Sequence, residues 1–168
     1  MKIDFPKLAL SLIVPFIAAF IGSMATYPSI PGWYATLAKP AWTPPNWVFG
    51  PVWTTLYILM GLSLYLVWMK GSGRWNRFKG WLGIRQPKAP LYAFFIQLGL
   101  NGLWSILFFG LQSPLLGLVC IIPLWIAIVA TMGLFYDVDR RAAWLLLPYI
   151  IWVTIAANLN LFVWLLNI

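Results

Sequence analysis

Long uncharged apolar stretches, separated by short polar breaks, set the pattern of this chain. No charge interrupts Leu8 to Tyr27 or Asn46 to Met69. A third stretch runs from Ala89 to Tyr136, well beyond the roughly 20 residues a helix needs to cross about 30 Å of hydrocarbon. Its natural break is Gly110-Leu-Gln-Ser-Pro114, because Gly and Pro punctuate helices. The pattern predicts five spans, near residues 8–27, 46–69, 89–111, 114–136 and 142–166. The expected fold is all-α: a single integral membrane bundle of five transmembrane helices over 1–168. An external loop covers 28–45 and a basic cytoplasmic loop covers 70–88.

Composition agrees and removes several chemistries. Of the residues, 62% are hydrophobic and 8% charged, against about 25% charged in a soluble domain. Most of this surface must therefore meet lipid. The chain has no His and no Glu, and its acids are Asp4, Asp137 and Asp139. The single Cys120 has no partner for an internal disulfide or a metal cluster. General acid–base catalysis usually recruits a His or a carboxylate, so conventional hydrolysis and a His-ligated metal are not expected.

The net charge of +8 is a topology signal before it is a partner signal. Lys2 and Lys7, then Lys70, Arg74, Arg77, Lys79, Arg85 and Lys88, then Arg140 and Arg141 all flank one side, and the other side holds Lys39. The positive-inside rule places the N-terminus in the cytoplasm and the C-terminus outside, in the cytoplasmic membrane. Lys2 and Lys7 ahead of an apolar run ending at Ser23-Met-Ala25 also outline a signal peptide. The run is long enough for a span, and it is read as a retained helix. In the basic loop, Trp75, Phe78, Trp81 and Leu82 alternate with Arg74, Arg77 and Lys79, which predicts a short amphipathic helix on the inner leaflet. Nucleic acid is not an expected partner.

The candidate chemistry is aromatic. Trp33 to Tyr57 forms a proline-stiffened loop that opens the second helix, with Thr43 expected to cap it and Pro44 to sit in its first turn. Its tryptophans Trp33, Trp42, Trp47 and Trp53 suit a membrane interface. At helical spacing, Gln97, Asn101, Trp104, Ser105 and Phe108 share a face of the third helix. Tyr149, Trp152, Ala156 and Asn160 share one on the fifth, and Phe49, Trp53 and Tyr57 share one on the second. Uncharged polar groups avoid lipid, so the first two faces should turn inward. Together the three would line an apolar cavity with a few hydrogen-bonding groups, suited to a planar aromatic ligand. The alternative is that these residues pack the core and satisfy one another. Ala18 with Gly22, and Ala19 with Ser23, mark close helix contact, within the bundle or between copies.

Three segments resemble the signature of the translocator protein family (TspO/MBR, also called tryptophan-rich sensory proteins or peripheral-type benzodiazepine receptors). They are the Trp33–Tyr57 loop, Asn101-Gly-Leu-Trp-Ser-Ile-Leu-Phe-Phe109, and Pro148-Tyr-Ile-Ile-Trp-Val-Thr-Ile-Ala-Ala-Asn-Leu-Asn160. The resemblance covers nearly the whole chain, in order. It implies a ligand pocket among the helices beneath the first loop. The matching positions are Tyr34 and Pro44 in the loop, Trp53, Asn101 and Trp104, and Trp152 and Ala156.

It further implies porphyrin ligands such as protoporphyrin IX or haem, other planar apolar molecules, and a homodimer. No cofactor is required. Without His, a tetrapyrrole is expected to stack on Trp faces and not to be held by axial iron ligands. The family's cholesterol motif needs Tyr followed by Arg or Lys near the end of the last helix, and Leu161 to Ile168 has neither. The reading is a receptor or carrier acting in tetrapyrrole sensing, transport or regulation. The alternatives are a light- or oxygen-dependent porphyrin-degrading enzyme and a ligand-independent assembly factor. Ion-coupled transport is disfavoured, because no carboxylate or base lies within a span.

Overall fold

A computed structural model describes residues 3–70 and 88–168. The amphipathic helix expected at 74–82 lies outside the described residues. Helix α1 is Phe5–Ser29, α2 Trp33–Thr36, α3 Asn46–Lys70, α4 Ala89–Ser105, α5 Pro114–Val138, α6 Arg140–Leu145 and α7 Leu147–Leu166. A π-helical turn, Ile106–Gly110, prolongs α4, and α6 and α7 form one crossing. Among the described residues, five helical stretches are thus long and apolar enough to span a membrane, as the hydrophobic pattern predicts.

Local chemistry sets the helix ends. The Asp4 carboxylate accepts from Lys7 N–H at 3.2 Å, with Pro6 in the first turn of α1. The Asp4 N–H donates to the Tyr65 hydroxyl at 3.0 Å, pinning this end of α1 to α3. Thr43 does not cap α3. Its hydroxyl turns back to the Pro40 carbonyl at 2.7 Å, and the first bond into α3 runs from Val48 N–H to Pro45 O at 3.0 Å. Two consecutive prolines push the helix start beyond Pro44, because a residue before proline is driven out of the helical region. The break after the third span falls at Gln112, whose φ of 52° is left-handed, while Gly110 still belongs to the π turn. Ser113 then caps α5, accepting from Leu116 N–H at 3.3 Å. The last span begins at Arg140, ahead of the expected 142, because Asp139 caps α6 by accepting from Arg141 N–H at 3.0 Å. It is interrupted at Leu146, where Pro148 enters the first turn of α7.

The helices close into a ring. Helix α1 packs between α3 and α4, α4 packs on α5, and α5 on α7. The ring closes differently at its two ends. Near the basic loop α3 lies on α6, where Ser63 Oγ donates to Ala142 O at 2.7 Å. There Lys70 Nζ reaches the buried Asp139 carboxylate at 2.8 Å, and Arg141 meets it at 3.2 Å. Toward the first loop, α3 and α7 meet through aromatic rings.

Close backbone approach explains several glycines. A Cβ on Gly61 would stand 2.8 Å from Leu12 Cα, so α3 and α1 touch there only because the position is bare. A Cβ on Gly22 would lie 3.1 Å from Ser105 Oγ, and one on Gly102 3.9 Å from Ala18 O. The Ala18–Gly22 pair therefore serves α1–α4 packing inside the bundle. Met60, Phe94, Ile128, Phe135 and Tyr149 are wholly buried, whereas Val119, Ile122 and Ile126 of α5 are exposed to what would be lipid.

Candidate ligand site

The α3 and α7 faces converge as expected. Trp53 stacks on Tyr57 with centroids 5.5 Å apart and planes 26° apart, and meets Tyr149 of α7 edge-on at 6.3 Å. One turn nearer the loop, Phe49 meets Trp152 at 5.7 Å and 71°. The Tyr57 hydroxyl donates to Asn101 Oδ1 at 2.9 Å, which joins α3 to α4 in the buried interior. Tyr149 places its hydroxyl beside this pair, without a hydrogen bond of good geometry. Ala156, one turn beyond Trp152, packs half-buried against the same core.

A second group lies under the loop. Trp104 stacks on Phe108 at 5.2 Å and 20°, and its indole N–H donates to Asn160 Oδ1 at 3.1 Å. Asn160 in turn donates to the Pro114 carbonyl at 2.7 Å, so α4, α5 and α7 share one polar link. Gly117 makes room for it, since a Cβ there would lie 2.7 Å from Asn160 Oδ1 and 2.8 Å from Phe108 Cδ2. The loop descends onto this group through Tyr34, which is buried against Phe108 at 6.3 Å and Phe109 at 5.5 Å. The π turn places these two phenylalanines side by side, 4.8 Å between centroids, and such insertions often mark functional sites. Ser29 Oγ donates to the Phe109 carbonyl at 2.7 Å and fixes the turn to the end of α1.

Not every expected lining residue joins. Ser105 turns toward Gly22 of α1. Pro44 lies half-buried ahead of α3, outside the aromatic contacts and hydrogen bonds named above. In this structure the converging side chains fill the interior with their own contacts, where the sequence pattern suggests an open cavity. An apolar groove of about 400 Å³ does exist, on the outer flank of α1 between Leu12, Ile13, Phe16, Ile17 and Phe20. It opens on the exposed side of α1, and Phe16 in its wall reaches Tyr57 of the aromatic group, ring centroids 6.0 Å apart.

The site is electrically neutral and polar in few places. Lys39 is the charged neighbour at the top, 4.7 Å over the Tyr34 ring, with its ammonium also donating to Leu37 O at 2.9 Å. Below it, both amide atoms of Gln97, the Tyr149 hydroxyl and the Trp152 indole N–H are buried with no well-formed hydrogen bond among the described residues. Such groups cost about 1–3 kcal/mol each when unpaired. One contact escaped sequence reasoning. The Asn167 side chain grips the loop backbone at Ala38, and no periodicity or motif signals it.

The arrangement can be set beside known proteins. The sequence profile of the TspO/MBR family matches residues 11–165. The chain belongs to the TspO/MBR family. It is 47% identical over 161 residues to the tryptophan-rich protein TspO of Archaeoglobus fulgidus, covering 96% of this chain and 97% of the relative. It is 38% identical over 152 residues to the translocator protein of Homo sapiens, covering 90% and 85%. The tryptophan-rich sensory protein of Cereibacter sphaeroides is 36% identical over 154 residues, covering 89% and 87%. The TspO/MBR match reaches into all five crossings and covers both aromatic groups.

Proposed function

We propose that this membrane protein binds a planar, conjugated, largely apolar molecule, a porphyrin above all, between α3, α4 and α7 beneath the 28–45 loop. It acts there as receptor or carrier in tetrapyrrole sensing, transport or regulation. One observation carries the reading: a neutral aromatic interior in which buried polar atoms of Gln97 and Trp152 have no hydrogen-bond partner among the described residues. A core selected for stability alone would replace such groups with apolar ones. A ligand offering a flat π face and a few hydrogen-bonding atoms would satisfy them.

Entry fits the geometry of the α3–α7 seam. There the helices are held by ring contacts, such as Phe49 with Trp152 and Trp53 with Tyr149. A flat ligand would exchange ring–ring for ring–ligand contacts of similar energy, about 0.5–1.5 kcal/mol per pair beyond area burial. The Trp faces would hold a tetrapyrrole without axial ligation, since the chain has no His. The positive-inside rule supports an N-terminus in the cytoplasm and the Tyr34 loop outside. Because α1 uses Gly22 within the bundle, pairing of two copies would need a surface other than the Ala18–Gly22 face.

The test is titration of protoporphyrin IX into the protein in lipid nanodiscs, followed by Trp fluorescence, with empty nanodiscs alongside. Saturable quenching near one ligand per chain supports the reading. Quenching no greater than in empty nanodiscs removes it.

A further inference from the structure

The loop over the aromatic site is fastened at one exposed point. Asn167, the residue closing α7, accepts from Ala38 N–H through Oδ1 at 3.0 Å and donates from Nδ2 to Ala38 O at 2.9 Å. The second Nδ2 hydrogen goes to Val163 O of its own helix at 2.7 Å. Both donors of the carboxamide and its acceptor are thereby engaged, and its plane is fixed against the loop backbone. The Asn167 side chain thus pairs with backbone 129 positions away.

Besides this clamp the loop is held by packing: Trp33 meets Phe108 edge-on at 5.5 Å, and Leu37, next to Ala38, packs half-buried on the same group. Trp42 leans edge-on against Phe162 of α7 at 5.9 Å, but is half exposed. Tyr34 is the one buried loop aromatic, on Phe108 and Phe109. Ala35 N–H and Thr43 N–H bond within the loop, to Gly32 O at 3.2 Å and Pro40 O at 3.0 Å. Tyr34 and Ala38 are four residues apart, so freeing Ala38 loosens the segment that seats Tyr34 over Phe108.

We propose that Asn167 is the latch of a lid formed by residues 32–45, and that release of its two bonds to Ala38 opens the mouth of the aromatic site. Its hydrogen bonds go to the backbone of Ala38 and Val163 and to none of the aromatic side chains, so it acts by positioning Tyr34. The link to ligand exchange rests on the binding function proposed above; the latch itself does not.

Hydrogen exchange of the ligand-free protein in nanodiscs tests the latch, comparing native with Asn167→Ala and Asn167→Asp. Two neutral hydrogen bonds set an opening equilibrium that should shift on the order of tenfold when both are lost. The expected result is faster exchange at Ala35 and Thr43, neither bonded to Asn167, with α4 amides unchanged. Asn167→Asp keeps an acceptor for Ala38 N–H and should fall between the other two. Faster exchange at Ala38 alone would mean a local contact and overturn the latch.

The second arm measures protoporphyrin IX dissociation, expected to be severalfold faster in Asn167→Ala. An unchanged rate alongside a loosened loop overturns the gating role. Failure of the native protein to bind porphyrin removes the proposed ligand, and the exchange arm still decides the latch.

Discussion

The Tyr57 hydroxyl donates to Asn101 Oδ1 at 2.9 Å, in a part of the bundle where both residues are buried. With no water in hydrocarbon to compensate, a lost partner there leaves an amide oxygen unpaired. Tyr57→Phe should destabilise the fold by ~1–3 kcal/mol. Thermal unfolding in nanodiscs reads this; an unchanged Tm would mean Asn101 finds another donor, with Tyr149 the nearest candidate.

Close helix contact makes a second prediction. Gly61→Ala would drive a Cβ to 2.8 Å from Leu12 Cα, which is backbone and cannot rotate away. The cost should be ~1–3 kcal/mol of overpacking. Gly99→Ala, where a Cβ meets nothing within 4 Å, serves as the control and should leave Tm unchanged or slightly raised. Equal effects of the two would show that α1 and α3 are farther apart than described.

Asp139 gives a pH dependence. Burial works to raise its pKa, but hydrogen bonds from Arg141 and Lys70 outweigh it and bring the carboxyl from 3.8 to about 2. The folded value lies below the unfolded one, so its stabilisation is complete above about pH 4 and lost as the pH falls through 2. That contribution is ~2 kcal/mol. Asp139→Asn keeps the α6 cap and removes the charge, so it should lower Tm at pH 7 and flatten the loss of stability between pH 4 and 2. A mutant as stable as native at pH 7 would show that the Lys70–Asp139 contact stabilises nothing.

Much of this fold was legible because its signal is long-range and redundant. The 89–136 stretch had to break, and Gly110 to Pro114 was the place to break it. The details went astray where a single side chain decides. Thr43 has the chemistry of a cap, yet consecutive prolines displace the helix start and its hydroxyl serves Pro40. Ser105 shares the Asn101 face by angle, but the tight α1–α4 contact at Gly22 claims it.

The aromatic faces were readable as faces, and their convergence followed from the avoidance of lipid by Asn101, Gln97 and Asn160. What spacing cannot express is depth of packing: whether Trp53 and Tyr57 border a space or stack on each other depends on α3–α7 separation. The Asn167–Ala38 clamp left no trace in the pattern, because an Asn at a helix end is ordinary and its partner is backbone.

The proposal that interior polar groups serve a ligand separates two properties that packing alone would move together. Gln97→Leu and Trp152→Phe both remove buried, unpartnered polar atoms. Each should leave the ligand-free protein as stable as native or more so, by up to ~1–3 kcal/mol.

The decisive measurement is therefore protoporphyrin IX affinity of Gln97→Leu and Trp152→Phe in nanodiscs, taken with the Tm of each ligand-free protein. The account predicts undiminished Tm and a Kd raised about fivefold or more, equivalent to ~1 kcal/mol per lost hydrogen bond. Undiminished Tm with unchanged Kd would contradict it, placing any porphyrin site away from the α3–α4–α7 interior.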